Sequence, residues 1–219
     1  MATTARTWPR RAAIGVVVTG ALFAGAYWYG GRESTLQMIA QKVANASGGS
    51  LVIQGVSGSL YGAMHIGHIV FKSPEQIITG DDIDIDWSPW QYLSHGIEVS
   101  KLRVASLAVQ SLKESEPPKM PLSLAPPFRL AIGDAQVDKL VMFSPGAKAG
   151  TQIDRIRFRL LGDDQHWELR GASAATPWGL ATADGSIGAV KPFKLDANAT
   201  FAQSGGPAHM KLHAGGDLV

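Results

Sequence analysis

The stretch IEVSKLRVASLAVQSL, residues 97–112, decides how the chain is read. Its apolar residues recur every five positions: Ile97-x-Val99, Leu102-x-Val104, Leu107-x-Val109, then Leu112. A strand needs period two, and this pattern breaks that period after Val99 and again after Val104. A bulge or bend at each break would keep all three pairs on one core-facing side. A helix is the rival, because these spacings partly fit a wide apolar stripe. Ile97, Val99, Val104 and Val109 are β-branched, which favours the strand.

The same question arises just upstream in GDDIDIDWSPW, residues 80–90. Asp82, Asp84 and Asp86 alternate with Ile83, Ile85 and Trp87. A calcium loop of the EF-hand kind places Gly at its sixth position and a bidentate acid at its twelfth. Counted from Asp82, those positions are Trp87 and Leu93. Along a strand, successive aspartates would stand roughly 7 Å apart, too far for one ion to bind all three. The reading is a strand with acids on its wet side and Ile83, Ile85 and Trp87 on its dry side. His65 and His68 are three apart, so a regular strand would separate them onto opposite faces. His209 and His213 would share a face about 13 Å apart. His95 reads as a turn residue and His166 as a strand end. No metal site is expected.

Working outward, SLVIQGVSGSLYG and MHIGHIVFK precede this pair. FRLAIGDAQVDKLVMF, TQIDRIRFRLL, HWELRGASAAT, GLATADGSIGA, FKLDANATF and AHMKLHAGG follow it. Gly, Pro, Asp and Asn separate these runs, an all-β rhythm of strands joined by hairpins. The proline-rich EPPKMPLSLAPP reads as an extended linker. No stretch supplies a crossover helix, so an antiparallel sheet is expected. The final GGDLV supplies no terminating element, which suggests the start of a longer chain.

The N-terminus has a different character. Arg6, Arg10 and Arg11 flank an uncharged apolar run, 12–30, of roughly 28 Å as a helix, against a hydrocarbon core of ~30 Å. Tyr27, Trp28 and Tyr29 suit one interface and Trp8 the other; the arginines predict a cytoplasmic N-terminus. Ala24-Gly25-Ala26 also fits signal-peptide cleavage, but the full-length span favours an uncleaved anchor. The division is 1–11 basic tail, 12–30 transmembrane anchor, 31–47 juxtamembrane helix and 48–219 exported β-sheet. In 31–47, Leu36, Ile39, Ala40 and Val43 recur at helical spacing. Ser34 or Thr35 is available as cap and Gly48-Gly49 as stop. A plain stalk is the alternative.

Composition removes several classes of function. The chain has 219 residues, 45% hydrophobic and 17% charged, with formal net charge +2, which speaks against disorder. Four of its 20 basic residues, Arg6, Arg10, Arg11 and Arg32, precede the first acid, Glu33. The remainder is slightly acidic, so no nucleic-acid footprint falls on the folded part. The absence of cysteine excludes disulfides and thiolate chemistry. Neither a G-x-S-x-G elbow nor a phosphate-binding G-x-x-x-x-G-K-[ST] loop is present. No enzyme, cofactor or nucleic-acid partner is expected.

The order of basic tail, membrane span, short helix, SGGSLVIQGVSGSLYGAMHIGHIVFK and IDIDWSPWQYLSHGIEVSKLRVASLAVQSL resembles the N-terminal region of the TamB group. These are the inner-membrane subunits of translocation and assembly modules, within the AsmA-like family of diderm bacteria. Gly58–Gly62 is similar to that family's early hairpin. Residues 83–87, 89–93 and 96–104 are similar to its recurring strand, proline turn and Gly-Ile-x-Val-x-x-Leu-x-Val unit. The likeness is clear over the first half and only rhythmic beyond.

It implies a mainly β protein: an inner-membrane anchor, a short helix, and an antiparallel sheet curled like a taco across the periplasm, its inner face apolar. It also implies a role in outer-membrane biogenesis, through outer-membrane protein assembly or secretion, phospholipid transport, or both. The partners it implies are membrane lipid and an outer-membrane β-barrel of TamA type, the latter docked by a region this chain lacks. Ile83, Ile85, Trp87, Ile97, Val99, Leu102, Val104, Leu107 and Val109 would then line a hydrophobic groove. A structural or adhesive β-solenoid with a closed core fits the same strands.

Overall fold

The computed structural model describes residues 31–88, 96–113, 121 and 123–218. The expected anchor, 12–30, and the expected turn at His95 lie outside them. Among the described residues no helix is long and apolar enough to cross a membrane.

Helix α1 (Glu33–Ala46) comes first. Its ladder starts at the Arg32 carbonyl, which accepts from Thr35 N (3.1 Å) and Leu36 N (3.2 Å). Arg32 is therefore the N-cap, and no side chain caps the end. Ser34 and Thr35, expected as caps, lie within the first turn instead, and Thr35 is buried beside Leu36. At the other end Gly48 and Gly49 take positive φ, as expected of the stop. Ser47 joins helix to sheet: its Oγ donates to the Ala44 carbonyl (2.6 Å) and accepts from Leu51 N (2.9 Å).

Ten strands follow: β1 (Leu51–Gly58), β2 (Ala63–Lys72), β3 (Gln76–Trp87), β4 (Ile97–Ser111), β5 (Leu130–Phe143), β6 (Thr151–Gly162), β7 (His166–Thr176), β8 (Gly179–Gly188), β9 (Phe193–Gln203) and β10 (His209–Leu218). They form one open sheet in sequence order. Residues 97–111 are thus one long strand, and residues 80–87 belong to another. Strand β4 starts at a glycine for a steric reason. Gly96 has φ +89°, and a Cβ there would run into the Arg129 carbonyl oxygen, which accepts from Ile97 N (2.8 Å).

The sheet is mixed rather than antiparallel, because β4 and β5 pair parallel. A parallel neighbour needs a long crossover, but not a helical one. Residues 112–129 join the two strands, and of these 114–120 and 122 lie outside the described residues. The described end of this crossover is tied to the far end of the sheet. Leu124 N donates to the Ala189 carbonyl (2.7 Å), Ser123 Oγ donates to the same oxygen (3.2 Å), and Trp167 Nε1 donates to the Leu124 carbonyl (2.7 Å). Ala189, and Phe193 at the start of β9, have no exposure.

Both breaks in the five-residue repeat are structural. At the first, the β3–β4 register slips so that Asp86 faces Lys101 and Trp87 faces Val99, leaving Ser100 as an extra residue. Strand β5 bulges alongside, at Gly133 and Asp134, against β6. The second break is a crease across six strands, through Gly55, Gly67, Asp82, Ala105, Asp138 and Arg155. Register is unbroken on either side of it, yet no ladder pair forms along it. Gly55 (φ +66°), Asp82 (φ +49°) and Arg155 (φ +51°) turn into the left-handed region there.

Each crossing resets which way the next side chain points. That is why Leu102 and Val104, then Leu107 and Val109, share one face. Asp82, although it has no ladder partner, stays on the polar side with Asp84, its Oδ1 3.9 Å from His65 Nε2. His65 and His68, with the crease residue Gly67 between them, fall on the same polar face rather than on opposite ones. His65 Nδ1 lies 2.9 Å from Asp84, and His68 Nδ1 lies 2.6 Å from Asp81.

A left-handed arginine costs about 1–2 kcal/mol that glycine does not incur. Arg155→Gly should therefore raise stability by about 0.5–1 kcal/mol, after glycine's own entropy cost, while Arg155→Val should lower it. The urea midpoints of the two variants check this; an unchanged midpoint for both would mean that the crease is unstrained.

Candidate functional site

The two faces of the sheet differ in chemistry. On the outer face, polar side chains meet across strands. Besides the two His–Asp pairs, Thr182 and Thr200 share a hydrogen bond (2.6 Å), and His213 Nδ1 lies 3.0 Å from Asn198 Oδ1. Gln136 and Gln152 donate to Asp138 and Asp154. These groups are solvated, and exposed ion pairs of this kind contribute only ~0–1 kcal/mol each.

Asp163 holds the β6–β7 turn. Its Oδ1 accepts from His166 N (2.8 Å) and Gln165 N (2.9 Å) and lies 3.1 Å from His166 Nδ1. The His166 backbone bond, followed by these other contacts, keeps its carboxyl below the usual aspartate range. On β7, Arg170 Nε donates to Glu168 Oε1 (2.6 Å), which holds the guanidinium pKa above its ordinary value. Among the described residues no group of three or more His, Asp or Glu side chains is placed to hold a metal ion.

The inner face is apolar along its length, and register builds it in rows. Val56, Ile66, Ile83, Val104, Val137 and Ile156 make one row; Met64, Ile85, Leu102, Ala135 and Phe158 make the next. Trp87, Val99, Ile132, Leu160 and Leu169 make a third, beyond the bulges. Ile97, facing Leu130, and Leu107 and Val109, facing Leu140 and Met142, complete the nine residues expected to share a surface. All nine do share it. This part is substantially packed: Val104 is only 8% exposed and Ala135 not at all.

The open space lies farther along the same face, between β6 and β10. It is a concavity of about 570 Å³ lined by Ile156, Phe158, Leu160, Leu169, Ala172, Ala174, Ala181, Ala183, Ala199, Phe201, Met210 and Leu212, with Arg157, Ser173, Thr182 and Thr200 also bordering it. None of the nine expected residues lines it. Two rows make its floor: Ala172, Ala183, Ala199 and Leu212, then Ala174, Ala181, Phe201 and Met210. Alanine leaves the space that leucine or isoleucine fills in the earlier strands. Met210 and Leu212, 60% and 58% exposed, stand at its rim.

Toward one end, Trp167 lies over Gly162, where a Cβ would collide with its ring, and carries the crossover residue Leu124. The crossover thus lies against the apolar face at that end. The alanines were readable as a period-two signal in Ala172-Ser-Ala174, Ala181-Thr-Ala183 and Ala197-Asn-Ala199-Thr-Phe201. They are weak hydrophobes, however, and did not stand out against the isoleucines.

Comparison with protein-family models, curated proteins and solved structures finds no match to this chain.

Proposed function

We propose that this chain is an inner-membrane-anchored periplasmic protein of envelope biogenesis, of TamB type, whose apolar inner face carries phospholipid acyl chains. The observation that carries this reading is the concavity between β6 and β10: open, apolar, and set on one face of a sheet whose other face is polar. A volume of this order is ordinary for a small-molecule site. Each methylene buried there contributes ~0.8 kcal/mol, so a chain of eight or so methylenes supplies enough to offset the cost of immobilising it. The basic flank and the apolar run at 12–30 support the anchor. The resemblance of residues 50–112 to AsmA-like sequences supports the envelope setting, and with it a share in outer-membrane protein assembly beside a TamA-type barrel. A solenoid with a closed, dry core would instead fill the space over the alanines of β7 to β9 with its own side chains.

The test is photo-crosslinking in the envelope of a diderm bacterium, with a benzophenone amino acid at Leu212 on the inner face and, as control, at Asn198 on the outer face. Phospholipid adducts from position 212 and none from position 198 are expected. Adducts to protein alone from position 212, or equal lipid labelling from both positions, would overturn the lipid reading.

A further inference from the structure

Six arginines follow Glu33 in the chain: Arg103, Arg129, Arg155, Arg157, Arg159 and Arg170. Four of them stand together on the outer face. The alternation that puts Leu102, Val104, Ile156, Phe158, Leu160 and Leu169 on the inner rows sets Arg103, Arg157, Arg159 and Arg170 on the other side. Arg159 and Arg170 face each other directly across β6 and β7. Like charges in that position destabilise a sheet. Arg170 donates to Glu168 through its Nε (2.6 Å), which leaves its two terminal NH₂ groups to other acceptors. Among the described residues, Arg103, Arg157 and Arg159 bond no acceptor.

We propose that Arg159 and Arg170 together hold the phosphate of a phosphate ester that also carries an ammonium group, as phosphoethanolamine does, with Glu98 as the partner of the ammonium. The backbone builds the place for it. On β7 one extra residue separates Ser173, which faces Arg157, from Arg170, which faces Arg159. Gly171 takes φ +58° within this bulge, and its N–H donates to Asp184 Oδ1 (2.5 Å). The bulge is what aims Arg170 at Arg159. The β5 bulge at Gly133 lies on the other side of β6. Between the two, the outer face dips into a cleft of about 230 Å³ lined by Glu98, Gly133, Arg159, Leu161, Glu168 and Arg170.

The charges of the cleft select the ligand. One guanidinium fork satisfies a carboxylate, whereas a phosphate has oxygens enough to accept from two forks at once. An anion set between Arg159 and Arg170 also removes their mutual repulsion. Glu168 is already engaged with Arg170, and Asp184 with the Gly171 N–H. The Glu98 side chain bonds no donor among the described residues and stands on the opposite wall, two strands from Arg159. It repels a bare phosphate. An ammonium a few bonds from the phosphate turns that repulsion into attraction. Arg103 and Arg157, close by on the same face, add to the field that draws the anion in. The same zwitterion occurs in free phosphate esters and in lipid headgroups. The site involves strands β4 to β8 alone, and the inference holds whatever the inner face carries.

Phosphorus NMR tests this on the full chain in maltoside micelles, which carry no phosphate of their own. The resonance of O-phosphoethanolamine should broaden on binding, with an affinity at least about tenfold above that of inorganic phosphate. Arg159→Gln and Arg170→Gln should each weaken binding about tenfold or more. Either change relieves the facing like charges, so the sheet is kept. Glu98→Gln should narrow the preference over inorganic phosphate while phosphate still binds. Lys72→Gln removes an exposed cation from β2 and should change nothing. Dihexanoyl phosphatidylethanolamine, as a second probe, separates the two sources. Binding as tight as that of the monoester, or tighter, assigns a lipid headgroup, and weaker binding assigns a free phosphate ester. No broadening with either probe, equal affinities for the parent chain and Arg159→Gln, an equal loss with Lys72→Gln, or inorganic phosphate bound as tightly as O-phosphoethanolamine would each overturn the proposal.

Discussion

Phe193→Ala should lower the unfolding free energy by about 3–5 kcal/mol, the range for removing a buried phenylalanine and leaving a cavity. Most domains have only about 5–15 kcal/mol in total. The size of the effect follows from how little of this chain is enclosed. One face of the sheet is polar and the other partly open, so fully buried side chains are scarce. Phe193 has no exposure and stands at the start of β9, opposite Leu218 and close to Ala189, to which the crossover is bonded. Removing its ring opens a cavity at a fully enclosed position, next to the strand end that the crossover is bonded to. A fall in melting temperature of roughly 10 °C is expected for a chain of this length. Phe201→Ala, on the half-open floor of the concavity, should cost much less, because less contact is lost. Similar shifts for both variants, measured by thermal denaturation, would show that the crossover end is not where the sheet is secured.

How far the sequence foretells this arrangement depends on whether the information is local. Strand positions are local: β-branched runs bounded by Gly, Pro and Asp mark β1 to β4 within a few residues, and α1 follows from its apolar spacing. The five-residue repeat of β4 even foretells two irregularities in one strand. Their form is not local. Nothing about Asp82 or Arg155 announces a left-handed backbone, since neither is glycine and each lies inside a strand-like run. The crease is imposed by six strands bending together, and Gly55 is the one left-handed position in it with the residue such a bend prefers. The fate of His65 and His68 follows directly, because alternation counted through Gly67 gives the wrong face.

Parallel pairing of β4 with β5 is likewise invisible, because strand direction is set by where a long connection returns. The bonds that hold it there, Leu124 to Ala189 and Trp167 to Leu124, join residues far apart in sequence. The site was half legible for a different reason. Isoleucine and tryptophan mark an apolar face, and the nine expected residues do share one. The largest hydrophobes, however, mark where a face is packed. A vacancy is marked by small residues, and the alanines of β7 to β9 make it.

The vacancy provides the second large effect. Ala183→Asp should abolish lipid recovery with the protein while leaving the sheet folded. Ala183 lies mid-row, between Ala172 on β7 and Ala199 on β9, on the floor of the concavity. A carboxylate there is hydrated while the space is open and is stripped of water once an acyl chain lies over it, a cost of several kcal/mol. A bound chain avoids that cost only by withdrawing from the site. If about four methylenes lose contact, ~3 kcal/mol of burial goes with them, a weakening of roughly 100-fold or more. Asn198→Asp provides the control, because Asn198 on the adjoining strand faces the polar side, its Oδ1 3.0 Å from His213 Nδ1, and does not line the concavity. Both variants add one negative charge, so both carry the same effect on solubility. Phospholipid per protein, measured by mass spectrometry after purification, should drop to background for Ala183→Asp and stay unchanged for Asn198→Asp. Equal lipid content in the two would place the acyl chains somewhere other than the alanine floor, and the groove reading would fall with it.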